Sequence, residues 1–253
     1  MKTLLVDSGN RSIKWAMLAD GELSEHGRVD RAAGQSLQEA WAAVSQPQRV
    51  VAGNVAGEYG ERAVREIARE YWQLDPVFIS STRACCGLTN CYSDAMQLGV
   101  DRWLAMIAAK HLVRGPVIVV DCGTAVTIDL VDEVGLFRGG VIMAGLGLSR
   151  AALRSGTAVL EEYDADQITA TASSTATAVI SGTLIGLAGA IERVVQDQST
   201  MLEVTPTVFL SGGDAEKLLL LLNFNVEMRP DLVLQGLRVC VEAPTSQSRT
   251  PPV

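Results

Sequence analysis

Two short segments of the chain place an aspartate, a glycine and a polar residue directly after an apolar run. Residues 4–6 lead into Asp7-Ser8-Gly9-Asn10, and residues 118–120 lead into Asp121-Cys122-Gly123-Thr124. Such a turn presents backbone N–H groups to a phosphate oxygen, and its carboxylate can hold a metal ion or a metal-bound water. A single copy is more typical of a purely conformational turn. Two copies, each followed by another apolar run, predict two related phosphate-binding domains.

Two other groups of residues could take part in the same chemistry. Ser211-Gly212-Gly213-Asp214 forms a third glycine-rich turn between an apolar run and a helix. Asp101, at the start of another predicted helix, could accept a hydroxyl proton late in phosphoryl transfer. Its neighbour Arg102 could bind a substrate carboxylate through two parallel hydrogen bonds. The alternative interpretation is that Asp101 caps the helix and Arg102 is a surface charge.

The elements that must position these residues follow from the alternation of apolar runs and helical periodicity, which indicates an α/β protein. We expect domains at 1–114 and 115–243, each a mixed sheet with flanking helices, around a central cleft, and a disordered tail at 244–253. Strands are predicted at residues 3–6, 13–18, 49–52, 77–80, 118–120, 126–131 and 208–210. Helices are predicted at 36–45, 61–73, from 99, at 148–159, 175–196 and up to 222, with an irregular stretch at 82–98 and a glycine-rich loop at 139–147.

Composition excludes several classes of protein. The 253 residues carry a net charge of −8 without a cluster of Lys and Arg, which argues against a nucleic-acid partner. The hydrophobic content of 48% indicates a globular chain. We find no apolar run near the roughly 18 to 20 residues that a membrane span needs, and no pattern of a cleavable signal. The expectation is a cytoplasmic protein that does not bind a membrane.

Cysteine and histidine are poorly placed for metal or nucleophilic chemistry. The five cysteines are an odd number without repeated Cys-x-x-Cys spacing, so the sequence implies neither a disulfide framework nor a zinc site, and we expect reduced structural thiols. The two histidines, His26 and His111, leave little material for a metal site or a catalytic triad. If the protein is an enzyme, carboxylates carry its proton transfers.

Taken with their order and spacing, these motifs resemble one family. Residues 7–15, 98–103, 121–125 and 174–182 are similar to the ordered motifs of type III pantothenate kinases, and the three glycine-containing turns resemble the phosphate and adenosine segments of the wider acetate and sugar kinase, heat-shock and actin superfamily. The resemblance runs from residue 4 to about residue 214. It implies two actin-like ATPase domains and a homodimer.

The resemblance also implies an activity and a set of site residues. Family members transfer a phosphate from ATP, with Mg²⁺, to pantothenate, giving 4′-phosphopantothenate in the first step of coenzyme A synthesis. Asp101 would be the base, and Asp121 would help to hold an activating monovalent cation, K⁺ or NH₄⁺. The ATP phosphates would be bound by Asp7, Ser8, Gly9, Asn10, Arg11, Ser12, Ile13, Lys14 and Thr124. Pantothenate would be bound by Tyr92, Gly99, Val100, Asp101, Arg102 and Thr175.

Two positions depart from the family pattern. Arg11 stands where Thr or Ser is usual, so either Ser12 supplies the hydroxyl or Arg11 itself contacts phosphate. Ala95 stands where Pro is common, which leaves the path of the preceding loop open.

Two alternative functions remain at this stage. The protein could be a non-catalytic or dual-role regulatory accessory protein, or a different kinase or phosphatase on the same fold.

The role of one helix face also remains open. A face of small residues at 178, 182, 186 and 190 could be a dimer contact or could serve packing between domains.

Overall fold

The computed structural model describes residues 1–31, 33–34, 36–156 and 168–243, so the predicted tail at 244–253 lies outside the described residues. The strands are β1 (Thr3–Ser8), β2 (Ser12–Ala19), β3 (Glu22–Asp30), β4 (Arg49–Asn54), β5 (Val77–Phe78), β6 (Ala84–Cys85), β7 (Leu88–Thr89), β8 (Val117–Cys122), β9 (Ala125–Val131), β10 (Phe137–Ala144), β11 (Thr207–Ser211) and β12 (Glu227–Met228). The helices are α1 (Leu37–Ala42), α2 (Gly57–Trp72), α3 (Val100–Leu112), α4 (Leu146–Gly156), α5 (Thr175–Ser199), α6 (Ala215–Leu219) and α7 (Leu232–Glu242), and a 3-10 turn spans Ala95–Gln97.

The contacts divide the chain into two compact units. The first comprises Met1–Arg114, Gly135–Phe137 and the chain from Asp231 onward, and the second comprises Gly115–Val134 and Arg138–Pro230. The helix α7 packs against α3 within the first unit, whereas the sequence placed this segment in the second predicted domain. The division into domains at 1–114 and 115–243 stays a prediction.

The first unit is built on a five-stranded sheet in the order β3-β2-β1-β4-β5. Strands β1, β2 and β3 are antiparallel neighbours, while β4 and β5 run parallel to β1. Successive side chains of a strand point to opposite faces, so Leu4 and Val6 pack with α1 and α2, whereas Leu5 packs with α3 and α7. Both faces of the sheet are therefore covered by helices, which explains the apolar run before Asp7.

The second unit repeats this plan. Its five strands have the order β10-β9-β8-β11-β12, with β9 antiparallel to β8 and with β11 and β12 parallel to it. On one face, α5 and α6 cover the sheet through residues such as Ile180, Leu184 and Leu218. The predicted α/β class and the internal repeat are confirmed, because β1-β2 and β8-β9 are equivalent hairpins beside equivalent parallel strands.

Four parts of the chain differ from the sequence-based expectation. The glycine-rich loop predicted at 139–147 is largely the strand β10, and the irregular stretch at 82–98 contains the hairpin β6-β7 and the 3-10 turn. The strand β3 was not predicted because its side chains are mostly exposed and polar, without alternation. The helix α7 was also missed. It approaches α3 at Gly236, where a side chain would collide with the Leu104 backbone.

The expectation that the chain lacks a segment long and apolar enough to cross a membrane is wrong for α5. Its 25 residues satisfy that test by length and composition. The apolar character has a different explanation in the fold, because Ile180, Leu184, Leu187 and Ile191 line the core of the second unit. A helix that covers a sheet with one apolar face and carries Gly and Ala on the other reaches the same mean hydropathy as a membrane span.

Candidate active site

The first predicted phosphate turn lies at the end of β1. Asp7 is in register with Lys14 on β2 and with Gly53 on β4. The Gly9 N–H donates to the Ser12 carbonyl at 3.0 Å, which closes a tight turn between β1 and β2. The hydrogen bond closes the hairpin β1-β2 at the position of the predicted phosphate turn.

An arginine that the sequence analysis did not select holds this turn. The Arg31 guanidinium donates from Nε to the Gly9 carbonyl at 3.1 Å and from Nη2 to Ser8 Oγ at 3.1 Å. It also lies over the Tyr59 ring, 5.4 Å from the ring centroid. Arg31 follows an exposed strand, so neither its spacing nor its neighbours in the sequence could have indicated this position.

Arg11 is placed differently from Arg31. Its side chain is 56% exposed, and its Nε lies 3.8 Å from Asp30 Oδ2. Ser12, the other residue considered for the missing hydroxyl, begins β2 opposite Asp30. Within the described residues, Arg31 rather than Arg11 donates side-chain hydrogen bonds to this turn.

The second and third turns lie against each other in the second unit. The Gly123 N–H donates to the Ala125 carbonyl at 3.0 Å, and the Asp214 N–H donates to the Cys122 carbonyl at 2.9 Å. Gly212 adopts a φ of +97° and packs on Cys122 so closely that a side chain would collide with the backbone. The structure thus brings the turn at 211–214 against Asp121 and Cys122.

The thiol in the second turn is not a nucleophile. Burial raises the pKa of Cys122, and the neighbouring carboxylates of Asp121 and Asp214 raise it further. The thiol therefore stays protonated at neutral pH. Its role is to fill the fully buried space behind the turn.

Asp101 lies in the first turn of α3, beside the helix N-terminus. Its Oδ1 accepts the Arg102 N–H at 2.8 Å. A Cβ atom on Gly99 would lie 2.6 Å from the same oxygen, so only glycine leaves room for the carboxylate. Burial raises the pKa of Asp101, and the hydrogen bond and positive charge of Arg102 partly oppose that rise. A carboxylate with a raised pKa is a stronger base once ionised, which suits a proton acceptor.

Arg102 is buried, so its interpretation as a surface charge is wrong. Its Nη1 donates to Tyr92 Oη at 3.2 Å. The guanidinium carbon lies 6.0 Å from the Tyr92 ring centroid and 5.9 Å from that of Phe137, and the two rings are 5.6 Å apart. Phe137 is a second residue that the sequence analysis missed, because it heads β10, far along the chain from its ring partner.

The loop before α3 is held by its own polar side chains. Arg83 Nη1 donates to the carbonyls of Asn90 and Tyr92 at 3.0 and 2.9 Å. Asn90 in turn donates from Nδ2 to the Ala95 carbonyl at 3.2 Å. The path from Tyr92 to Gly99 therefore forms an ordered 3-10 turn with alanine where proline is common.

Thr175 belongs to the second unit, whereas Tyr92 and residues 99–102 belong to the first. It is the first residue of α5, and the preceding Ser174 caps the helix by accepting the Thr177 N–H at 3.2 Å. Thr175 lines an open pocket of about 580 Å³. The other lining residues are Leu153, Ala172, Ser173, Ser174, Ala178, Val179, Gly182 and Thr183.

Comparison with known proteins decides the family. The model of the family "Type III pantothenate kinase" matches residues 3–197. The chain belongs to the type III pantothenate kinase family. A family member from Alkalilimnicola ehrlichii, named type III pantothenate kinase, is 39% identical over 239 residues, which cover 92% of this chain and 95% of the relative.

Solved structures support the fold. A Campylobacter jejuni protein assigned provisionally to the Baf family of transcriptional activators has a TM-score of 0.59 at 20% identity, covering 94% of this chain and 98% of that one. A Sinorhizobium meliloti protein assigned provisionally as a 2-dehydro-3-deoxygalactonokinase has a TM-score of 0.55 at 17% identity, covering 93% and 96%. This type III pantothenate kinase family member therefore has the two-sheet fold of actin-like ATPases and sugar kinases.

Proposed function

We propose that the protein is a cytoplasmic enzyme that transfers a phosphate from ATP to pantothenate, giving 4′-phosphopantothenate in the first step of coenzyme A synthesis. The observation that carries the proposal, beside family membership, is the pair Asp101 and Arg102. One side chain is a partly buried carboxylate with a raised pKa, and the next is a buried guanidinium that packs beside two aromatic rings.

The guanidinium suits the substrate carboxylate. Arg102 is charged at any physiological pH, and a planar fork of donors matches a carboxylate in a bidentate manner. The rings of Tyr92 and Phe137 stabilise the cation in a partly dehydrated place, where its interaction with an anion is stronger than in water. Pantothenate carries one carboxylate and a distant primary hydroxyl. Arg102 would anchor the first, and Tyr92, Gly99, Val100 and Thr175 would complete the binding site.

Asp101 would accept the proton of the attacking hydroxyl. Phosphoryl transfer has a loose transition state, so the base acts late and positioning contributes most of the rate. The hydrogen bond from the Arg102 N–H fixes one carboxylate oxygen. The other oxygen is then oriented to accept the proton. Gly99 permits this arrangement because it has no side chain.

The ATP phosphates would be received by the turns of the two units. In the first unit, Asp7, Ser8, Gly9, Asn10, Arg11, Ser12, Ile13 and Lys14 form the loop, and Arg31 holds its carbonyl and hydroxyl groups. In the second, Thr124 lies exposed beside Gly123. The carboxylates that end β1 and β8 are oxygen ligands of the kind that Mg²⁺ prefers, and Mg²⁺ would neutralise the phosphate charge.

Asp121 would help to hold a monovalent cation. It lies one residue before the end of β8, and its backbone is in register with Ser211 on β11 and Thr127 on β9, two residues that carry hydroxyl groups. We therefore expect K⁺ or NH₄⁺ to raise turnover relative to Na⁺, and Asp121→Asn to weaken that response. Equal rates in the three salts would contradict this part of the proposal.

The protein would act as a homodimer through α5. Gly182 and Gly186 lie exposed on this helix, and a Cβ atom at either position would meet no heavy atom of the described residues within 4 Å. Ile185, on the same helix, and Leu153, on α4, are exposed as well. A smooth face with exposed apolar side chains fits a second copy of the same helix.

An assay of ADP release with pantothenate tests the proposed activity. With Mg²⁺ and K⁺, ADP formation should require pantothenate, and omitting either ATP or pantothenate should abolish it. Folded protein that releases no ADP above the pantothenate-free rate would contradict the proposal. Release with another alcohol at a higher kcat/KM would instead identify a different kinase.

A further inference from the structure

Three cysteines of the first unit come together at a place where the sequence implied no site. Cys85 ends β6, Cys86 follows it in the turn to β7, and Cys240 lies on α7. Their Sγ atoms all lie within 4.8 Å of one another, and those of Cys85 and Cys86 are 3.2 Å apart. The sequence analysis missed the cluster because Cys240 comes from the C-terminal helix, outside any Cys-x-x-Cys spacing.

The turn geometry adds an independent observation. Cys86 has a φ of +51° and Gly87 a φ of +79°, so the two residues form the tight two-residue turn of the hairpin. Asn, Asp and Gly are the usual residues where such a turn needs a positive φ. A cysteine at this position is conformationally unfavourable, and it places the second thiol on the same side as Cys85 and Cys240.

The distances fit a metal ion bound by three sulfur atoms. With a metal–sulfur bond of about 2.3 Å, two thiolates of a tetrahedral or trigonal site lie roughly 3.8 to 4.0 Å apart. The Cys85–Cys86 separation of 3.2 Å is shorter than this value, and all three separations lie within 4.8 Å, so small side-chain rotations would complete the site. All three thiols are partly buried rather than enclosed, so an ion can reach them from solvent.

Metal binding to this cluster would be coupled to proton release. The thiolate is the form of cysteine that binds metals. A bound cation would therefore displace the protons of the three thiols.

We propose that Cys85, Cys86 and Cys240 form a binding site for one thiophilic d¹⁰ cation, Zn²⁺ or Cu⁺. Thiolates select these soft or borderline ions over Mg²⁺ and Ca²⁺. The bound ion links the hairpin β6-β7 to α7, two segments that are far apart in the sequence. The hairpin leads into the loop that Arg83 holds, so the ion stabilises the support of Tyr92 without contacting substrate.

The test is a metal titration of the whole protein, reduced and kept without oxygen. Co²⁺, used as a spectroscopic stand-in for Zn²⁺, should give a thiolate-to-cobalt charge-transfer band that saturates at one ion per chain and disappears when Zn²⁺ is added. Cu⁺, delivered from a chromogenic chelator, is titrated separately. Competition between the two ions shows which of them the site prefers.

Variants make the test specific. Cys240→Ser should weaken binding by at least about a hundredfold, since even the loss of a group that only supports a metal ligand costs 10- to 100-fold. Cys91→Ser removes an exposed thiol from the neighbouring loop and should bind as the unchanged protein does. If Cys240→Ser does not fold, Cys85→Ser, on the hairpin, gives the same comparison. The melting temperature should rise on metal addition for the unchanged protein and for Cys91→Ser only.

The proposal is overturned if the reduced protein shows no charge-transfer band and no Cu⁺ binding. It is also overturned if Cys91→Ser loses binding as fully as Cys240→Ser, because the site would then lie elsewhere. Formation of a Cys85–Cys240 or Cys86–Cys240 disulfide, without metal binding by the reduced thiols, likewise contradicts it.

Discussion

Replacing Asp101 by Asn separates its proposed role as a base from its role as a hydrogen-bond acceptor at the N-terminus of α3. Asn keeps the oxygen that accepts the Arg102 N–H at 2.8 Å, but it cannot accept a proton. Turnover should therefore fall by about 10² to 10⁴, the usual contribution of a positioned general base. At about 1.36 kcal/mol for each factor of ten, this loss corresponds to roughly 2.7 to 5.5 kcal/mol of transition-state stabilisation. The dissociation constant for ATP should change little.

The same variant makes a stability prediction of definite sign. Burial raises the pKa of Asp101 in the folded protein, so its contribution to stability is fully present below the unfolded pKa, about 3.9, and is lost as pH rises through the folded pKa. Asn is neutral at every pH. The melting temperature of Asp101→Asn should therefore equal or exceed that of the unchanged protein at pH 7, and the difference should shrink as the pH is lowered.

A matched control is available in the preceding loop. Asp94 is exposed and accepts the Met96 N–H at 3.0 Å, so Asp94→Asn makes the same chemical change at another backbone donor. It should keep its turnover. The assay measures kcat, nucleotide affinity and melting temperature on all three proteins. Normal turnover of Asp101→Asn, whatever its melting temperature at pH 7, would refute the assignment of Asp101 as the base.

Four further changes test neighbouring parts of the structure. Arg102→Lys should raise KM for pantothenate about tenfold or more, with KM for ATP unchanged, because it removes a bidentate charge-assisted pair. Gly99→Ala should lower kcat and the melting temperature together, since its Cβ would lie 2.6 Å from the Asp101 carboxylate. Arg31→Gln should raise KM for ATP about tenfold, as loss of a charged hydrogen bond implies, and a KM equal to that of the unchanged protein would remove Arg31 from the site. Gly186→Trp should convert a dimer to a monomer in light scattering, and an unchanged mass would contradict the proposed α5 contact.

The parts of the fold that the sequence predicted are those with a strong local signal. Apolar runs that end in Asp-x-Gly predicted β1 and β8, and small residues at four-residue spacing indicated α5. The strand β3 lacks such a signal because most of its side chains are exposed to solvent and do not pack in a core.

The parts of the site that escaped prediction depend on tertiary contacts. Arg31 reaches back across the sheet to Ser8, and Phe137 packs on Tyr92 from the start of β10, 45 residues later. The thiol of Cys240 meets the hairpin only because Gly236 lets α7 lie close to α3. None of these pairings leaves a periodicity or a spacing in the sequence. Asp101 was selected from the family motif at residues 98–103, and only the structure shows that the neighbouring Arg102 is buried.

The most direct measurement of the central claim is the chemical identity of the product. The protein is incubated with pantothenate, MgATP and K⁺, and the mixture is analysed by mass spectrometry and ³¹P NMR, with Asp101→Asn run in parallel. The account predicts a phosphate monoester on the primary hydroxyl of pantothenate, formed in equal amount with ADP, and little product with the variant. ADP released without phosphorylated pantothenate, or equal product from both proteins, would contradict it.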